Sequence, residues 1–417
     1  MEIFCLEGWN VKTILTKEAK VLLQCCDFGA KPEDLRLVLS SPLDWERLTT
    51  QAAQLSLGPY LYMRLKEQNV LDAPPETFGQ NLKGGFLWSQ SENMKRFAKV
   101  QQILQALSEA NIPVIVLKGA AVASLVYPHL GCRPMGDIDL LIRKPHLDKA
   151  EEILEALGFQ ADEQTHSKQW FREFHHHLAP YISRDRSLTI ELHHHIVPLA
   201  DPVKIPINVL WDRAVQTSIA NVPCRVLSPE DMIIHACHHL SASNQFLGQL
   251  RGLCDVAHII RHYKDSLDWT MLCDHVKEFG LAKHAYYSLW LAKTCIEAPV
   301  PSDVLQTLAS AGNVASIKDW LFKFLIRRAI LIFEANQHLF YLWALQDTCS
   351  ELLSQRDWSK KCQFIYQRKI GRFKAFAQSH AQSAGSQRVR DSMILCYARY
   401  VAHLVKKACG MKLSSKL

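Results

Sequence analysis

Residues 114–142 read VIVLKGAAVASLVYPHLGCRPMGDIDLLI, and this stretch decides the fold. Val114-Ile115-Val116-Leu117 is a short, wholly apolar, β-branched run of the kind that forms a buried strand. Lys118-Gly119 turns the chain, and Ala120 to Tyr127 has the composition of a short helix. Pro128 to Gly136 is a loop holding both glycine and proline. Asp137-Ile138-Asp139-Leu140-Leu141-Ile142 alternates acid with apolar residues and then becomes fully apolar, which predicts a second strand.

The acids on that strand carry chemistry. Asp137 and Asp139 are two apart, so both side chains point to one face. Two carboxylates held that close repel each other, and a shared divalent cation is the common reason for such a pair. Gly119 follows a strand and precedes a helix, where the backbone can approach a phosphate and the helix start offers free N–H groups. Lys118 in the turn and Arg133 in the loop could neutralise phosphate oxygens. A glycine turn for phosphate plus a D-x-D pair for Mg²⁺ is the minimum equipment for phosphoryl or nucleotidyl transfer.

Working outward, the N-terminal side is helical. Thr13 to Cys26 and Leu43 to Gln68 carry apolar residues at helical spacing, and Asp44 suits the N-cap of the second. Pro74-Pro75 marks a boundary, and a long helix is predicted from near Phe86 to Ala110. On the C-terminal side, Pro145 to Leu157 is an amphipathic helix closed by Gly158. Leu178 to Ser183 and Leu188 to Ile196 read as a hairpin turned by Asp185-Arg186-Ser187. Ser228-Pro229-Glu230-Asp231 opens a helix with a hydroxyl cap, a proline in the first turn and acids beside it. After about residue 225 only helices are expected. The fold class is therefore α+β: a helical region over 1–78, a mixed-sheet core over 79–220, and a helical region over 221–417.

The chain has 417 residues, 48% hydrophobic and 21% charged, with a net charge of +7. That balance fits a globular protein of more than one domain and favours anionic partners without requiring nucleic acid. The positive charge gathers from Lys318 onward, with 18 basic against 6 acidic residues. There Trp358, Phe364, Tyr366, Arg368, Lys369, Arg372, Phe373 and Lys374 interleave, giving either a contact for an anionic partner or an amphipathic helix with a solvated face. Thirteen scattered cysteines, none in a C-x-x-C pair, point to reduced thiols and a cytoplasmic protein rather than a disulfide or zinc framework. Met1-Glu2-Ile3-Phe4 lacks a basic stretch followed by a long apolar run, so no signal peptide is expected. Trp320 to Leu345 is apolar but interrupted by Lys323, Arg327, Arg328 and Glu334, so it reads as a buried or amphipathic helix, and no transmembrane segment is expected. The histidine runs at His175-His176-His177 and His193-His194-His195, and the i, i+4 pairs His235/His239 and His258/His262, lack an H-E-x-x-H pattern and read as packing and hydrogen-bonding groups. Arg251 and Asp255, also at i, i+4, are expected to form an ion pair.

The blocks Leu117-Lys118-Gly119-Ala120 and Arg133-Pro134-Met135-Gly136-Asp137-Ile138-Asp139-Leu140 resemble the bacterial "uncharacterised nucleotidyltransferase" family, a branch of the DNA polymerase β-like nucleotidyltransferase superfamily. The resemblance continues through the helix Lys149 to Gly158, weakly into Leu227-Ser228-Pro229-Glu230-Asp231, and covers about residues 30–260. It implies a mixed sheet and an NTP substrate, ATP among the options, bound with two Mg²⁺ ions, for which Mn²⁺ could substitute. Asp137 and Asp139 would ligate the metals, and Glu191, in Thr189-Ile190-Glu191-Leu192-His193, best matches the third acid. The acceptor hydroxyl would lose its proton near Glu191 and attack the α-phosphorus. His193 shares a strand face with Glu191 and stands apart from the other histidines for that reason. The acceptor is left open among small molecule, peptide, protein and RNA. Ala120 replaces the Gly or Ser usual in the superfamily, the following loop is long, and the third acid is Glu rather than Asp. Those departures favour one alternative, a degenerate nucleotide-binding scaffold or accessory protein. A metal-dependent D-x-D glycosyltransferase is a second, against which the Lys118-Gly119 turn argues.

Overall fold

The structure is a computed structural model that describes residues 16–314 except 165, 199–202 and 245, together with positions 319, 323, 326, 327, 330 and 331. The aromatic and basic C-terminal region, and the helix expected over Trp320 to Leu345 apart from those positions, lie outside the described residues.

Four short helices come first: α1 (Lys17–Cys26), α2 (Pro32–Leu39), α3 (Trp45–Gln54) and α4 (Gly58–Glu67). Thr16 and Asp44 start α1 and α3 by accepting the N–H groups of Ala19 and Arg47 on their side-chain oxygens. The long helix α5 (Glu76–Glu109) begins well before Phe86. Gly79, Gly84 and Gly85 hide its first turns in the sequence, since each glycine costs a helix about 1 kcal/mol. Phe78, Leu82 and Phe86, buried at i, i+4 spacing, hold it together.

The α/β segment follows: β1 (Val114–Val116), α6 (Lys118–Leu125), β2 (Asp137–Ile142), α7 (Leu147–Ala156), β3 (Phe159–Ala161), α8 (Lys168–Phe174), β4 (Tyr181–Ser183), β5 (Thr189–His193), α9 (Ile207–Arg213), β6 (Val215–Ile219) and β7 (Val222–Val226). Gly158 ends α7 at φ +85°, a left-handed position that glycine fills at no steric cost. Helices α10 (Pro229–His238), α11 (Leu250–Tyr263), α12 (Trp269–Glu278), α13 (Ala282–Ile296) and α14 (Ser302–Ala311) complete the described chain. Ser228 caps α10 through the Asp231 N–H, as its sequence predicts.

The strands form one mixed sheet in the order β3-β4-β5-β2-β1-β7-β6. β1 runs antiparallel to β2 and parallel to β7, and β2 runs parallel to β5. Antiparallel pairs add β4 and β3 at one edge and β6 at the other. β3 and the β6–β7 hairpin escape a sequence reading for different reasons. β3 is only three residues long. The hairpin carries polar Gln216, Thr217 and Ser218 and turns through Ala220-Asn221, both at positive φ, without the Asn-Gly signature. The sheet therefore runs through Val226, past residue 220.

Ile138, Leu140 and Ile142 of β2 and Ile190 and Leu192 of β5 are buried on one face of the sheet, each worth about 1.5–3 kcal/mol. Val100, Ile103, Leu104 and Leu107 of α5 and Leu154 of α7 are also buried. The odd-numbered positions of β2 and β5 share the opposite face, where the chemistry gathers. The described cysteines are free thiols, buried except Cys295, which is partly exposed. Among the described residues no helix is long and apolar enough to cross a membrane.

Candidate active site

The parallel register sets Asp139 of β2 opposite Glu191 of β5, with Asp137 opposite Thr189 and Leu141 opposite His193. Partners in register point the same way, so Asp137, Asp139, Glu191 and His193 share one face. Asp139 is 3% exposed. Its Oδ1 accepts hydrogen bonds from Lys118 Nζ at 2.7 Å and His193 Nε2 at 2.8 Å. His193 Nε2 also lies 3.2 Å from Glu191 Oε2.

Each group's ionisation follows from these neighbours. Burial alone would raise the Asp139 carboxyl, but Lys118 and His193 hold it well below the usual carboxylate range. Burial likewise works to raise Glu191, and the His193 hydrogen bond and nearby His177 bring it down. Burial and Lys118 push the His193 imidazole down, but its bonds to Asp139 and Glu191 leave it above its ordinary value. Burial works against the Lys118 ammonium, and Asp139, Glu191 and Asp137 together keep it above the ordinary lysine range. Asp137 stands at the open end of the strand, where the enclosing cleft, then Asp139 and Glu191, raise its carboxyl.

Lys118 adopts φ +41°, a left-handed conformation a side-chain-bearing residue takes only where its surroundings force it. That turn aims the ammonium back at β2, while Gly119 follows as the second residue of α6. A Cβ on Gly119 would come within 2.6 Å of Arg133 Nη1, so the guanidinium closes directly over the helix start. Arg133 is held there from the far side: its Nε and Nη2 donate to the two Asp255 oxygens at 2.9 and 2.7 Å. Tyr127 donates to Asp255 at 2.8 Å. Asn93 of α5 donates to the carbonyls of Leu130 and Arg133, fixing the loop. Asp255 thus pairs with Arg133 rather than with Arg251, which donates to the Pro134 carbonyl. The correction has a steric reason: the planar fork of Arg133 meets the carboxylate bidentately across the fold, which a neighbour on the same helix does less well.

A cleft opens at this corner. The α6 start, Arg133, Asp137 and Asp139 form one wall, and Met232, His235 and His239 near the end of α10 and Arg251 of α11 form the other. Burial pushes the His235 imidazole down, and His239 down to about 4, and His239 Nδ1 accepts from the Asn244 side-chain amide. Glu191 stands one strand away from the cleft, next to Asp139 and facing His177, whose Nε2 is 3.7 Å from its Oε2.

The structure thus brings Asp137, Asp139, Glu191, Lys118, Gly119 and Arg133 to one corner. It adds His193 to the expected carboxylates: ligand atoms of Asp139, Glu191 and His193 all lie within 4.8 Å of one another. The carboxylate oxygens of Asp137, Asp139 and Glu191 make an oxygen donor set that fits a divalent ion such as Mg²⁺ or Mn²⁺. Sequence reasoning missed Asp255, Asn93 and Tyr127. Their residue types carry no local signal, and only the chain's path across the fold brings them to the loop.

Over residues 41–297 the chain matches the family described as uncharacterised nucleotidyltransferase. The chain belongs to that family. The family is one of nucleotidyltransferases, so the chain is a transferase of that kind rather than the D-x-D glycosyltransferase of the second alternative. No curated protein matches it. It is similar to the solution structure of the antibiotic-resistance factor ANT(2'')-Ia at 14% identity, over 47% of this chain and 98% of that one, with a TM-score of 0.33. It is similar to the crystal structure of ANT(2'')-Ia in complex with adenylyl-2''-tobramycin at 16% identity, over 45% and 97%, again with a TM-score of 0.33. The crystal structure of JHP933 from Helicobacter pylori is similar at 14% identity, over 61% and 97%, with a TM-score of 0.28.

Proposed function

We propose that this nucleotidyltransferase moves a nucleoside monophosphate from an NTP to an acceptor hydroxyl in a Mg²⁺-dependent reaction, with Asp137, Asp139 and Glu191 as the acidic set. The observation that carries the reading is the register of Asp139 against Glu191, with Asp137 on the same face, beside a helix start that opens into a cleft. Divalent ions held by these residues would neutralise the triphosphate and stabilise both the entering oxygen and the departing pyrophosphate.

The remaining work falls to the chain's own groups. The free N–H groups at the start of α6 bind phosphate oxygens, since Gly119 presents no side chain there. Arg133, locked by Asp255, directs Nη1 to that position and meets the same oxygens without losing side-chain freedom on binding. Lys118 keeps its ammonium on Asp139 and holds positive charge at the cleft floor. Asp139 stands between the cleft and Glu191, which supports a triphosphate in the cleft and an acceptor on the β5 side. Glu191 takes the acceptor's proton, and His193 bridges Glu191 and Asp139 to keep their orientation fixed.

Calorimetry with ATP and the other NTPs, with and without Mg²⁺, tests the first half of this reading. Mg²⁺-dependent binding supports it, and a search with α-labelled NTP against small molecules, peptides, proteins and RNA then finds the acceptor. Absence of binding under both conditions would pass the lead to the non-catalytic scaffold.

A further inference from the structure

His175, His176 and His177 lie between α8 and β4, and their backbone is pinned from both sides. His176 accepts the N–H groups of His194 and His195 at 3.0 and 3.1 Å. Leu178 donates its N–H to Leu192 at 2.9 Å, and His177 bridges His193 in antiparallel fashion. Three consecutive side chains in extended backbone would point alternately to opposite sides, but the chain bends at His176. Here they do not diverge: ring nitrogens of all three lie within 4.8 Å of one another. The ring centres are 4.4 Å apart for His175 and His176, 4.0 Å for His175 and His177, and 5.0 Å for His176 and His177.

Two observations point to a ligand. The Nδ1 atoms of His175 and His176 are sealed from solvent and meet no hydrogen-bond partner, an arrangement that costs about 1–3 kcal/mol for each group left unsatisfied. His177 places Nδ1 2.6 Å from the Leu178 carbonyl oxygen, which fixes the tautomer with its proton on Nδ1 and leaves Nε2 with a lone pair to offer a ligand. Metal-binding histidines are oriented by that same backbone bond. Trp170 and Phe171 pack against the rings and make the surroundings apolar.

We propose that His175, His176 and His177 form a binding site for a divalent transition-metal ion of the zinc type, separate from the carboxylate site and joined to it through His177 and Glu191. Imidazole nitrogens suit zinc and its neighbours and suit Mg²⁺ poorly, so the two sites select different ions. Three imidazoles leave a fourth position open. An ion there fixes His177 at its 3.7 Å approach to Glu191 and so acts on the acceptor side of the reaction.

Zn²⁺ titration of the full-length, chelator-treated protein tests the site, with calorimetry as readout. The wild type is expected to bind Zn²⁺ at this cluster, and His175→Gln/His176→Gln is expected to weaken that event by roughly 100-fold or more. Both proteins should melt at the same temperature without metal, and Zn²⁺ should raise only the wild-type midpoint. Equal stoichiometry and affinity in the two proteins overturns the proposal. X-ray absorption on the wild type with one equivalent of Zn²⁺ reads the ligands without any variant. An imidazole-dominated shell supports the site, and a carboxylate-dominated shell overturns it.

Discussion

Arg133 and Asp255 meet in a bidentate ion pair, 2.9 and 2.7 Å, that ties the loop before β2 to helix α11. Both side chains are about nine-tenths buried, at 10% and 11% exposure. Removing one partner leaves the other charge buried without compensation. Asp255→Ala is therefore expected to destabilise the fold by about 3–5 kcal/mol, read from urea unfolding. A loss below about 1 kcal/mol would show that the loop does not depend on this pair.

The same pair sets a pH dependence. Burial would raise the Asp255 carboxyl, but Arg133 and then Arg251 hold it below the usual range in the folded state. Its contribution is therefore complete above the unfolded aspartate value of about 3.9, and is lost as pH falls through the lower folded value. The stability gap between wild type and Asp255→Asn should shrink on acidification below about pH 4. A gap that stays constant or widens there would refute the assignment.

Asp137 and Asp139 should separate binding from stability. Asp137 is exposed and its replacement by Asn should change stability by no more than about 0.5 kcal/mol. Asp139→Asn removes the negative charge that faces Lys118 and His193 and should cost about 1–3 kcal/mol. Both variants are expected to lose Mg²⁺-dependent NTP binding in calorimetry. Unchanged binding in both would remove the metal site from Asp137 and Asp139.

Glu191 lies outside the cleft walls, so Glu191→Gln should keep NTP binding while transfer falls by about 10²-fold or more. Parallel calorimetry and label-transfer assays would show the split. Loss of both together would place Glu191 in nucleotide binding instead. Intact function of a partner protein with the Gln variant would favour the scaffold.

Gly119 has room for no side chain because Arg133 Nη1 stands 2.6 Å from the Cβ position and cannot yield without leaving Asp255. Gly119→Ala should weaken NTP binding by about tenfold or more, equivalent to about 1.4 kcal/mol. Wild-type affinity in this variant would mean that phosphate does not sit at the start of α6.

The local sequence was enough for much of the core. Lys118-Gly119 and the D-x-D strand lie within one stretch whose periodicity, breakers and charge pattern are local properties. Asp44 and Ser228 likewise cap their helices through N–H groups three residues on. The long start of α5 was not legible, because its glycines oppose the helix locally and burial of Phe78 and Leu82 overrides them. The β6–β7 hairpin was not legible either, since its polar residues carry no alternation that reports the pairing.

The sequence by itself determined the acidic strand, the glycine turn and the kind of chemistry they suit, because spacing along a strand fixes which side chains share a face. Tertiary structure alone decided that His193 reaches across to Asp139, that Asp255 pairs with Arg133 rather than with Arg251, and that three histidines converge. Those pairings follow from the order in which strands and helices pack, and contacts between residues as distant as Arg133 and Asp255 leave no periodic trace in the chain.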